Sequence, residues 1–125
     1  MKAYTDLEQS KKLAEILPIE SADMRYGYIA PYEFSDRMYD GGYDDIPYPK
    51  DFLKKNPNFS EDEYDDSLPC WSLTALLDVY PMIVGRDMDM YCCWQNSKHL
   101  CSRHYDNPID ACYKMILKLH EQKLI

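Results

Sequence analysis

The sequence predicts an α+β domain: a small antiparallel sheet of three or four strands, a C-terminal hairpin among them, with about three helices packed on one face. Three observations lead there. Apolar residues recur at helical spacing in three separate segments, each bounded by a capping residue or a proline. Between the last two of these, Asp87 to Trp94 alternates with a period of two, placing Met88, Met90, Cys92 and Trp94 on one face and Asp89, Tyr91 and Cys93 on the other. The chain has 125 residues, 46% of them apolar, which fits one unit with one core. Residues 1–125 therefore read as a single domain, with a long acidic excursion at about 32–66.

Thr5-Asp6-Leu7-Glu8 fits a capping box, in which the Thr5 hydroxyl accepts from a first-turn amide and Glu8 reaches back. The helix it opens runs to about Leu17, with Leu7, Leu13, Ala14, Ile16 and Leu17 as its apolar stripe, and Pro18 stops it. Met24 to Ala30 is aromatic and apolar without helical spacing and reads as a strand ended by Pro31. Tyr32 to Tyr39 reads as one edge strand ended by Asp40-Gly41-Gly42. Pro47, Pro49 and Pro57 keep long helices and central strands out of the stretch that follows. A second helix opens at Leu68 to Leu73, with Pro69 in its first turn or Ser72 as its cap, and buries Leu73, Leu76, Leu77 and Tyr80 before Pro81. Gln95 to Lys98 supplies a turn, and His99 to Tyr105 returns as the partner of the alternating strand. Asn107-Pro108-Ile109-Asp110 is the strongest local signal: Asn caps, Pro fills the first helical position, and Asp follows in the positive first turn. Ile109, Cys112, Ile116 and Leu119, flanked by Tyr113 and Leu117, form the buried stripe of that last helix.

Charge narrows the function classes. Fourteen Lys and Arg against twenty-two Asp and Glu give a net charge of −8. Pro31 to Asp66 holds eleven acidic and four basic residues, a net −7, so almost all of the excess occupies one stretch. This balance disfavours direct nucleic-acid binding, which depends on Lys and Arg displacing counterions, and disfavours an anionic membrane surface for the same reason. No apolar run approaches the length needed to span a bilayer, and the first residues lack a signal-peptide pattern, so a cytoplasmic location is expected. The five cysteines then read as reduced thiols.

The candidate chemistry is sparse. Cys92, Cys93, His99, Cys101 and His104 lie close in sequence, and zinc favours thiolate and imidazole. Adjacent cysteines on a strand point to opposite faces, however, and no set of four ligands follows from the spacing. A two-residue turn at Asn96-Ser97 would oppose Cys92 to Cys101 and Trp94 to His99, and a longer turn would change the partners. Cys70 would sit near a helix N-terminus, where a thiol pKa falls, so a small thiol enzyme using Cys70 and one histidine is an alternative. Flanked by Pro69 and Trp71, the cysteine reads better as part of a packed helix start. Asp36, Asp40, Gly41 and Asp44 match part of a calcium loop, but Met38 and Pro47 occupy two ligand positions and break the match. No catalytic residue, metal site or cofactor is assigned.

Leu68-Pro69-Cys70-Trp71-Ser72-Leu73-Thr74-Ala75-Leu76-Leu77 and Asn107-Pro108-Ile109-Asp110-Ala111-Cys112 resemble segments of a group of small uncharacterised proteins from gut-bacterial and phage or mobile-element genomes. The resemblance covers the three helices and leaves the middle of the chain uncovered. The group carries no assigned activity, so no functional residue transfers. It implies an accessory protein or inhibitor of viral or mobile-element origin. Together with the charge, this points to a non-enzymatic interaction module that grips a basic protein surface through Tyr39, Asp40, Tyr43, Asp44, Asp45 and Tyr48, the tyrosines supplying contact area and the acids steering encounter. A purely structural accessory role is the plainer alternative. An exposed hairpin edge or the Met-Trp strand face offers a surface for a homodimer.

Overall fold

The computed structural model describes residues 2–29, 31–51, 66–95 and 100–125, and the side chains of Tyr32, Phe34 and Tyr39 lie outside that description. Its elements are α1 (Leu7–Ile16), β1 (Met24–Tyr26), β2 (Tyr28–Ile29), β3 (Tyr32–Phe34), β4 (Arg37–Tyr39), β5 (Gly42–Tyr43), β6 (Tyr48–Pro49), β7 (Leu68–Cys70), α2 (Leu73–Val79), β8 (Ile83–Asp87), β9 (Met90–Gln95), β10 (Leu100–Cys101) and α3 (Pro108–Glu121). The fold is α+β with antiparallel pairing, as expected. Among the described residues the strands are shared between two three-stranded sheets, in the orders β6-β1-β7 and β10-β9-β8, and two two-stranded ones, β2-β5 and β3-β4.

The capping box of α1 lies one residue later than the sequence suggests. Asp6 is the N-cap and accepts from the Gln9 amide at 2.8 Å, while the Gln9 side chain accepts from the Asp6 amide at 3.1 Å. Thr5 is unavailable for capping because its hydroxyl is fully buried and accepts instead from the Trp71 amide at 3.1 Å. Ala14 faces solvent, and Gln9 and Ser10 are buried in its place beside Leu13. The expected strand from Met24 to Ala30 breaks at Gly27, which separates β1 from β2, and Ala30 lies outside the described residues. A Cβ at Gly27 would stand 2.6 Å from the Asp44 carboxylate, and the Gly27 carbonyl accepts from the Asp44 amide at 2.9 Å.

Tyr32 to Tyr39 is a hairpin and not one strand. Ser35 and Asp36 adopt φ of 50° and 64°, so two left-handed residues reverse the chain and Phe34 pairs with Arg37. Likewise, the period of two through Met88 is interrupted: Met88 and Asp89 form the turn between β8 and β9, with Met88 at φ 57° and 90% exposed. Leu68–Cys70 is β7 and not a helix start, and α2 begins after Ser72, whose hydroxyl accepts from the Ala75 amide. β1 runs between β6 and β7, so Pro49 and Pro69 each sit in a flanking strand, opposite Met24 and Arg25. In the other sheet Leu100 pairs with Gln95 and Cys101 with Trp94, so Cys101 does not oppose Cys92 as a two-residue turn would have it, and the turn expected at Asn96 to Lys98 lies outside the described residues.

α3 begins as expected: Asn107 accepts from the Asp110 amide at 2.9 Å and Pro108 occupies the first turn. It lies against β9 and β8, with α2 packed beside it, while α1 covers β7. The main core joins Leu13 and Leu17 of α1, Trp71, Leu76 of α2, Cys93 of β9 and Ile109, Cys112, Met115, Ile116 and Leu119 of α3. A second cluster of Tyr26, Leu68 and Cys70 lies under Tyr4, Leu7, Met24 and Tyr43.

Candidate interaction surface

The strand pairing of β1 brings the chain's first residues against the segment after β5. Between them opens a cleft of about 380 Å³, lined by Lys2, Tyr4, Asp6, Leu7, Glu8, Tyr26 and Asp45. Its aromatic wall is fixed. Tyr4 and Tyr26 meet edge to face, with centroids 6.4 Å apart and planes at 81°. The Tyr26 hydroxyl donates to the Thr5 carbonyl at 2.7 Å, and burial, followed by the adjacent Cys70, pushes its pKa well up. Tyr26 is thus a neutral donor with its ring locked in place.

Lys2 anchors one end. Its Nζ donates to Asp110 at 2.7 Å, Asp6 at 3.0 Å and the Gln9 side-chain oxygen at 3.2 Å, and Gln9 Nε2 also donates to Asp110 at 2.7 Å. Desolvation alone would lower the Lys2 pKa, but the hydrogen bonds to Asp110 and Asp6 outweigh it and raise the pKa. For Asp110, desolvation acts upward, and bonds from Lys2, Gln9 and Asn107 bring the pKa down. Glu8 and Asp45 are exposed on the cleft, while Asp6 shares the Lys2 ammonium with Asp110.

Of the residues singled out from sequence, Asp45 lines this cleft. Asp44 is half-buried against Gly27 beside it. Tyr43 packs on Tyr28 at 5.1 Å between ring centroids and has Lys11 Nζ 5.6 Å from its own centroid. Tyr48 is half-buried in β6, opposite Arg25. Asp40 is exposed after β4, and Tyr39 belongs to β4 with its side chain outside the described residues. Tyr4, Asp6, Glu8 and Tyr26 were not legible as site residues, since the contact that assembles them joins the chain's beginning to residues some forty positions on.

Cys70 does not lie at a helix N-terminus. It is fully buried in β7, where Thr5 Oγ1 donates to its Sγ at 3.6 Å and its thiol donates to the Thr5 carbonyl at 3.4 Å. Burial pushes the thiol up, and bonds with Thr5, Ser10 and Tyr26 only partly offset this. Cys92 and Cys93 do point to opposite faces of β9, His104 pairs with Asp87 at 3.0 Å, and His99 lies outside the described residues. Among the described residues, no three His, Cys, Asp or Glu side chains come close enough together to hold a metal ion. Nor, among those residues, is any helix long and apolar enough to cross a membrane. The chain matches no protein-family model, no curated protein and no solved structure.

Proposed function

We propose that this protein is a non-enzymatic, cytoplasmic interaction module of phage or mobile-element type, which binds a basic protein partner through its acidic, tyrosine-bearing surface. The supporting observation is the cleft, where the carboxylates of Asp6, Glu8 and Asp45 meet the rings of Tyr4 and Tyr26. A lysine or arginine side chain suits this chemistry: its stem lies along Tyr4 and Leu7, and its cation meets Glu8 and Asp45. Asp40 and Asp44, on the same chain segment as Asp45, add to the field that steers a cationic surface inward.

The test is direct binding of a fluorescent lysine- and arginine-rich peptide, followed by anisotropy at low and high salt. Binding should weaken steeply with salt, and should be lost when Asp40, Asp44 and Asp45 become Asn or when Glu8→Gln is combined with Asp45→Asn. Binding that persists unchanged in both variants would remove the reading, as would equal affinity for an acidic peptide of the same length.

A further inference from the structure

β9 carries two adjacent cysteines, and each meets a second thiol on its own face of the sheet. Cys93 faces α3, where it contacts Cys112, and both are fully buried. Cys92 shares the opposite face with Trp94, and Trp94 is paired with Cys101 of β10, so Cys92 and Cys101 are diagonal neighbours across the two strands. The two side chains interact: burial acts first on the Cys92 thiol, and the nearness of Cys101 adds to it, raising its pKa. Cys101 is exposed and donates to the Ser102 carbonyl at 2.9 Å, whereas Cys92 is only 7% exposed. The chain past Cys101 stays tied to β9, with the Ser102 amide donating to the Cys93 carbonyl at 2.7 Å and the Cys93 amide donating to Ser102 Oγ at 2.8 Å, so the two thiols are held on one face in a fixed register.

We propose that Cys92 and Cys101 form a reversible thiol–disulfide site, reacting with small disulfides of the glutathione type. The Cys101 thiolate attacks one sulfur of the disulfide, forming a mixed disulfide and breaking the reagent's S–S bond. One glutathione thiolate leaves and takes up a proton equivalent to the one Cys101 released. Cys92, deprotonated by solvent, then attacks Cys101 Sγ. The Cys101–glutathione bond breaks and the second glutathione leaves, again taking up a proton. Two electrons pass from the cysteine pair to the reagent, whose two halves depart reduced. The buried Cys93 and Cys112 are out of the reagent's reach and remain thiols. This inference is independent of the cleft reading.

The experiment treats the whole folded protein with oxidised glutathione, counts free thiols and maps linkages by peptide mass spectrometry. The expected result is loss of two of the five thiols, with one Cys92–Cys101 bond that dithiothreitol reverses. Cys92→Ser should stop at a glutathione adduct on Cys101, and Cys101→Ser should keep all its remaining thiols, each variant first matched to the parent by circular dichroism. A thiol count that stays at five overturns the proposal. So does a linkage between other cysteines, or a mixed disulfide on Cys101 that persists in the unaltered chain.

Discussion

Thr5 ties three parts of the molecule together through one residue. Its amide donates to the Trp71 carbonyl at 2.9 Å and its hydroxyl accepts from the Trp71 amide, while its carbonyl accepts from Tyr26 and Cys70. Thr5→Val preserves shape but leaves the Trp71 N–H buried without that acceptor. A loss of about 1–3 kcal/mol is expected, measured as a lower urea midpoint at unchanged slope. Gly85 exerts a steric constraint of another kind. A Cβ there would stand 2.8 Å from Cη2 of Trp94, so the indole occupies the space a side chain would need. Gly85→Ala should displace the ring, shift the tryptophan emission maximum and cost about 1–3 kcal/mol. Neither role is legible in sequence. A threonine before a helix reads as a cap, and a glycine in a strand gives no hint of which aromatic ring lies over it.

At the scale of elements, legibility follows the range of the forces involved. α3 was readable from end to start of its buried stripe because Asn107, Pro108 and the apolar period act within a few residues. Its finish was not. The Lys123 amide donates to the His120 carbonyl at 3.0 Å and the Leu124 amide to the Leu119 carbonyl at 2.9 Å, a Schellman closure with Lys123 at φ 59° where glycine is usual. Lys123→Gly should raise stability by about 1 kcal/mol in chemical denaturation, because the left-handed conformation penalises a side chain. The β8–β9 turn hid for the same reason: Met88 bends there without a glycine or asparagine to announce it. Pairing of β1 with β7 joins residues more than forty positions apart, and no local pattern encodes such a choice. The cleft inherits that illegibility, since β1 supplies Tyr26 and the neighbouring N-terminal residues supply Tyr4, Asp6 and Glu8.

Across the whole molecule, the Lys2, Gln9 and Asp110 network clamps the α1 side to the start of α3. Its effect depends on pH in a defined direction. Asp110 is more acidic folded than its ordinary value of 3.8, so its stabilisation is complete above that pH and fades as pH falls through the depressed folded value. Lys2 is more basic folded than its ordinary 10.5, so its share is complete below that pH and fades as pH rises through the raised value. Asp110→Asn should therefore cost about 1 kcal/mol in the plateau between, given the partial exposure of the pair, and the difference from the parent should vanish at the acid end. Thermal melts across the pH range check both statements.

The two prolines that flank β1 in its sheet have a further effect on what this protein is able to join. Each leaves a gap in the row of amide donors along an outer strand, and β6 is only two residues long. Beyond β7 the Thr5 amide already donates to the Trp71 carbonyl at 2.9 Å, so among the described residues a foreign strand finds no continuous template along β6 or β7, and this sheet resists being lengthened into a shared or fibrillar one. A partner of the kind proposed would therefore have to be recognised through side chains, such as the tyrosines and carboxylates that line the neighbouring cleft.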